Sequence, residues 1–124
     1  MGIPYADHGR DLRLGMDCWG LAVHVWREHY GLQVPLYDDF YQEGVPFVAA
    51  VQEEADTGTW TRVEAIEEGV GLFFSGQQGR AHIGLALTPR HFLHTTPATG
   101  SIISELGDFQ WKPRLLGSYV WSGT

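Results

Sequence analysis

From Trp60 onward the chain breaks into six short β-prone runs, and no other feature narrows its fold as much. The runs are TWTRVE, VGLFFS, RAHIGLAL, HFLHTT, SIISEL and LLGSYVW. They are rich in β-branched and aromatic residues and are separated by Gly, Pro or Ser. The first half has a different texture. Asp17 offers an N-cap side chain to a run over residues 18–30, in which Cys18, Ala22, Val25, Trp26 and His29 recur close to helical spacing. Gly31 stands where that helix should end, with Pro35 beyond. A second helix is expected from Pro46 to near Gly58, although Glu53, Glu54 and Asp56 in its last turn carry the wrong sign for a helix C-terminus. Residues 1–16 read as an irregular lead-in, and residues 32–45 as a loop with exposed aromatics at Tyr37, Phe40 and Tyr41. Helices followed by strands predict an α+β fold, with N-terminal helices packed on an antiparallel sheet.

A length of 124 residues fits one domain over residues 1–124, because a second would have too few residues for its own core. The formal charge is −7 and no Lys/Arg cluster occurs, so a nucleic-acid partner is not expected. No stretch of 18 or more apolar residues is present, so membrane insertion is not expected either. The opening MGIPYADHGR has no apolar run behind positive charges, which leads to the expectation of no signal peptide. Cys18 is the only cysteine, so an internal disulfide and a Cys-rich zinc site are both excluded. No cofactor or metal is expected.

The chemistry-bearing residues are few. Cys18 falls at the first position of the expected helix, where free N–H groups and the helix dipole favour a thiolate and a lowered pKa. Gly20 costs about 1 kcal/mol relative to Ala in a helix, which implies a close neighbour on that side. In residues 80–87, alternation puts His82, Gly84 and Ala86 on one face, nearly bare apart from the imidazole. That face is expected to receive the helix. If Thr88-Pro89-Arg90 is a three-residue loop, Leu87 pairs with His91 and Gly84 with His94, so His94 shares the face of His82. A two-residue loop would flip His94 away. A Cys, a His and a polar group that orients the His make a nucleophile–base–orienter set. His8, His24, His29 and His91 read as solvated or packing residues. A metal site from His82, His91 and His94 has no recognised ligand spacing.

The stretch GMDCWGLAVHVW resembles the nucleophile motif of the NlpC/P60 cysteine peptidases, and AHIGLALTPRHFLHT resembles their second block, in which a His is followed twelve residues later by another. The resemblance implies a papain-like α+β fold with Cys18, His82 and His94 as the triad. It further implies that Tyr5 and the Cys18 backbone shape the oxyanion region, with Trp19 and Gly20 on the substrate side. Two positions depart from the family pattern. Trp19 stands where the cell-wall enzymes usually have Ser, and Val70 where a Gly-Asp pair normally precedes the central strand. The D-C-W-G form is more like the phage-tail branch. The implied activity is cleavage of peptidoglycan stem peptides, at the γ-D-glutamyl–diamino-acid bond, by a subunit of a virion tail held among tail-tip proteins. A structural tail component on the same fold, or an amidase or acyltransferase using the same triad, are the alternatives.

Overall fold

The computed structural model describes residues 2–6, 10–11, 15–35, 60–75 and 81–122. The expected second helix, the aromatic loop and His8 lie outside the described residues. A two-residue β1 (Arg10–Asp11) pairs with β2 (Gly15–Met16), and the helix α1 (Cys18–Glu28) follows. Six further strands are β3 (Trp60–Arg62), β4 (Gly71–Ser75), β5 (Ala81–Ala86), β6 (His91–Thr96), β7 (Gly100–Glu105) and β8 (Leu115–Trp121). They form one antiparallel sheet in the order β3-β8-β4-β5-β6-β7. Each of the six β-prone runs supplies one strand.

Helix α1 starts where expected. Asp17 has extended backbone and its side chain accepts the Gly20 N–H at 2.7 Å. The helix ends at Glu28, with His29 as its C-cap, rather than at Tyr30, and Gly31 takes the left-handed conformation (φ 67°) that turns the chain away. Its buried stripe is Trp19, Ala22, Val23 and Trp26, which meets Phe73, Ile83, Leu85 and Tyr119 on one sheet face. Trp19, Trp26 and Trp60 are fully buried there and touch edge to face or at a tilt. The Trp26 indole N–H reaches the Gly69 carbonyl at 2.8 Å, so that large ring is buried without an unpaired donor.

The other sheet face is covered differently. Val70, Leu72, Phe74, Ala86 and Phe92 pack beneath Leu106 and Trp111, in the segment between β7 and β8. This corrects one expectation: the helix lies on the Ile83 and Leu85 face, and the bare face of β5 receives Phe92 and Trp111 instead. A Cβ on Gly84 would come within 2.3 Å of the Phe92 ring. The close neighbour of that glycine is a cross-strand phenyl ring, not the helix.

The β5–β6 hairpin has the register of a three-residue loop. Leu85 pairs with Leu93 and Ala86 with Phe92, and the Leu87 N–H reaches the His91 carbonyl at 2.9 Å. Toward its start, β5 stays paired with β4, where Phe74 faces His82, but its pairing with β6 stops at Leu85. The two strands part at that point. The N-terminal segment ties the opposite end of the sheet to the entry of α1. Ile3 exchanges backbone bonds with the Ser101 side chain and N–H (2.8 and 2.9 Å), while Met16 N–H bonds to the Pro4 carbonyl at 2.9 Å. A Cβ on Gly100 would lie 2.7 Å from the Ile3 carbonyl oxygen, and its φ of 68° also favours glycine.

Candidate active site

The site forms where β5 and β6 part beside the start of α1. Alternation along β5 directs the N–H groups of residues 83, 85 and 87 toward β6 and those of 82, 84 and 86 toward β4. With the strands apart, the Ile83 N–H lacks the β6 carbonyl that a continued ladder would supply. It lies instead against the sulfur of Cys18, together with the N–H groups of Trp19 and Cys18. At the helix start Asp17 takes the Gly20 N–H with its carboxylate and the Leu21 N–H with its carbonyl.

Burial nonetheless works against a thiolate at this sulfur. Dense burial pushes the Cys18 thiol up to about 12, against the pull of the Ile83 N–H, and the neighbouring Asp17 charge raises it further. The helix-start argument identified the right backbone donors but gave too little weight to desolvation. Cys18 is the free cysteine of the chain and is partly exposed as a residue.

On the next residue of β5, His82 meets His94 with Nε2 to Nδ1 at 2.8 Å and the rings nearly perpendicular. His94 is 1% exposed, and its Nε2 lies 2.7 Å from the Ser104 hydroxyl. Burial holds both imidazoles neutral. His82 is lowered to about 3 by desolvation first, then by His94 and the Arg114 charge, and His94 is lowered to about 4 by desolvation. Trp111 closes the far side, stacked on His82 at 5.2 Å and edge-on to His94 at 4.7 Å. Arg114 lies over the Trp111 ring at 4.9 Å and donates to the Ser75 carbonyl at 2.8 Å, which anchors the cover to β4.

The structure thus brings His82 to His94 and places Cys18 against the backbone one residue from His82. Among the described residues no side-chain hydrogen bond joins the Cys18 thiol to an imidazole. Tyr5 is held by a parallel bridge to Met16, two residues before the cysteine. Trp19 offers its main chain alone, since its indole is 0% exposed in the core. Gly20 is buried and its N–H is taken by Asp17 in the helix cap. His91 sits at the hairpin with Thr88 and Glu105, apart from the histidine pair. His24 and His29 line an open groove of about 420 Å³ with Glu28, Tyr30 and Glu68. Among the described residues no three His, Cys, Asp or Glu side chains converge as metal ligands.

Ser104, Trp111, Arg114 and the Ile83 N–H were not singled out from the sequence. The alternation of SIISEL could have paired Ser104 with the face of His94, given the β6–β7 register. Phe92 does pair with Ser104 and His94 with Ile102. The cover by Trp111 depends on how residues 106–114 fold back, which no local pattern encodes.

A cysteine at a helix start, set against β5, and a His–His pair joining β5 to β6 fit a papain-like α+β fold. The chain belongs to the NlpC/P60 family, whose model matches residues 2–120. It is 27% identical over 107 residues to the murein DD-endopeptidase MepS/murein LD-carboxypeptidase of Escherichia coli, covering 86% of this chain and 50% of that protein. It is 23% identical over 119 residues to the gamma-DL-glutamyl hydrolase of Bacillus subtilis, covering 94% of this chain and 26% of that protein. The chain therefore spans half or less of the length of these relatives. An NlpC/P60 family protein from Bacillus cereus has the same fold, with a TM-score of 0.71 and 17% identity over 98% of this chain and 36% of that one.

Proposed function

We propose that the protein is a cysteine peptidase that cleaves peptidoglycan stem peptides, with Cys18 as nucleophile, His82 as base and His94 as orienter. The observation that carries this reading is the 2.8 Å contact from His82 Nε2 to His94 Nδ1, one residue along β5 from the N–H on the Cys18 sulfur. His94 occupies Nε2 of His82, which leaves Nδ1 for the thiol. Nδ1 takes the thiol proton as sulfur bonds to the amide carbonyl carbon, and the N–H groups of Cys18 and Trp19 receive the oxyanion. The proton then passes from His82 to the leaving nitrogen as the C–N bond breaks. Water attacks the thioester through the same base, releasing the carboxylate and restoring the thiol.

The bond we favour is the γ-D-glutamyl–diamino-acid linkage. Its support is a relative named as a gamma-DL-glutamyl hydrolase, which favours a γ-glutamyl bond, while the murein DD-endopeptidase name of another relative favours a different bond in the wall polymer. We place the protein at a phage tail tip or tail-like particle, in contact with tail proteins, because its D-C-W-G motif resembles that branch. Purified muropeptides incubated with the protein and resolved by mass should yield an L-Ala-D-Glu product. Cleavage at the D,D cross-link alone would overturn the choice of bond, and absence of the chain from purified tails would overturn its placement.

A further inference from the structure

We infer that Ser104 is a positioning residue for this reaction, accepting the Nε2–H of His94 and so fixing the tautomers of both histidines. The inference rests on the peptidase reading above and extends it by one residue. To accept a thiol proton, His82 must present a bare Nδ1, which puts its own proton on Nε2. That proton is donated to His94 Nδ1, 2.8 Å away, which must therefore be bare. His94 is then obliged to carry its proton on Nε2, and the atom facing Nε2 is the Ser104 oxygen at 2.7 Å.

The chain of donors has one direction, from His82 through His94 to Ser104, and Ser104 is its terminal acceptor. Serine suits that end. Its residue is half-buried on β7, directly across from Phe92, so the hydroxyl accepts from the ring while its own proton can turn to solvent. His94, 1% exposed, has no such recourse. Without the hydroxyl its Nε2–H would be buried and unpaired. The ring would then favour the Nδ1–H form, which meets the Nε2–H of His82 head-on. His82 relieves that conflict by moving its proton to Nδ1, the nitrogen the thiol needs bare.

The test reads the ring nitrogens directly. With ¹⁵N-histidine, both His82 and His94 in the wild type should show protonated Nε2 and bare Nδ1 at pH 7. Ser104→Ala should shift both rings toward Nδ1–H and lower kcat on a muropeptide by roughly 5- to 30-fold, with KM nearly unchanged. Ser104→Thr, which keeps the oxygen, should restore both readouts. The inference is overturned if wild-type His94 carries its proton on Nδ1, or if Ser104→Ala leaves the nitrogen shifts unmoved, whatever its kcat. Because the shifts need no substrate, a wild type without turnover would sink the peptidase reading and still leave the role of Ser104 decided by NMR.

Discussion

The backbone N–H of Ile83 faces the sulfur of Cys18, because β5 leaves β6 two residues before the point where a continued ladder would have paired Ile83 with Thr95. Among the described residues, the Thr95 hydroxyl is buried with no hydrogen-bond partner. An open strand pair is thus the structural condition for the site. It releases a backbone donor on the helix side while the two histidines bridge the strands on the other.

The thiol should be unreactive in the resting protein. Its pKa is raised to about 12 by burial, and His82 is lowered to about 3, so the neutral pair is the resting state. Alkylation by iodoacetamide should be slow at pH 7 and climb steadily above pH 9. A rate that reaches a plateau by pH 6 would mean that a thiolate–imidazolium pair already exists.

Acid should unfold the protein through the histidine pair. Both folded pKa values lie below the ordinary 6.5, at about 3 and about 4. The folded state therefore binds fewer protons than the unfolded one between those limits. Their contribution to stability is present above pH 6.5 and is lost as pH falls to about 4 for His94 and about 3 for His82, by at most about 1.4 kcal/mol per pH unit for each histidine. Urea unfolding at pH 7, 5.5 and 4.5 should reveal this slope, and His94→Asn should flatten it. An unchanged slope in the variant would contradict the burial argument.

Gly84 should tolerate no side chain. A Cβ there would sit 2.3 Å from the Phe92 ring, so Gly84→Val should cost about 1–3 kcal/mol by overpacking. Gly84→Ala combined with Phe92→Leu should recover part of the loss of Gly84→Ala alone. Equal melting temperatures for wild type and Gly84→Val would show that the ring can move aside freely.

Much of this was legible in the sequence, and the reasons differ by residue. The six strands could be read because each run carries its own β-propensity and its own breakers. Asp17 could be read as a cap because capping is local. The His82–His94 contact was legible only on the condition of a three-residue loop, which the Leu85–Leu93 register meets. The face that α1 covers could not be read this way. His82, Gly84 and Ala86 look bare in sequence, but Phe92 from the next strand and Trp111 from the β7–β8 segment fill that space. The upward push on the thiol could not be read locally either, since desolvation depends on everything packed around the sulfur.

His94 should matter far more to turnover than His91. His94→Ala removes the partner of His82 and should lower kcat by about a hundredfold or more, whereas His94→Asn, whose amide oxygen can still accept from His82, should retain more. His91→Ala breaks only its hairpin contacts with Thr88 and Glu105 and should change kcat less than twofold, an expectation of order about 0.4 kcal/mol. Matched steady-state assays of the three variants decide this, and equal losses at positions 91 and 94 would contradict it.

The most direct test of the central claim is the intact mass of the protein after rapid acid quench during turnover of a stem-peptide substrate. Attack by Cys18 predicts a transient thioester adduct on that residue, with the mass of the acyl half of the peptide, and no adduct or cleavage in Cys18→Ala. Cleavage that persists in Cys18→Ala would contradict the account.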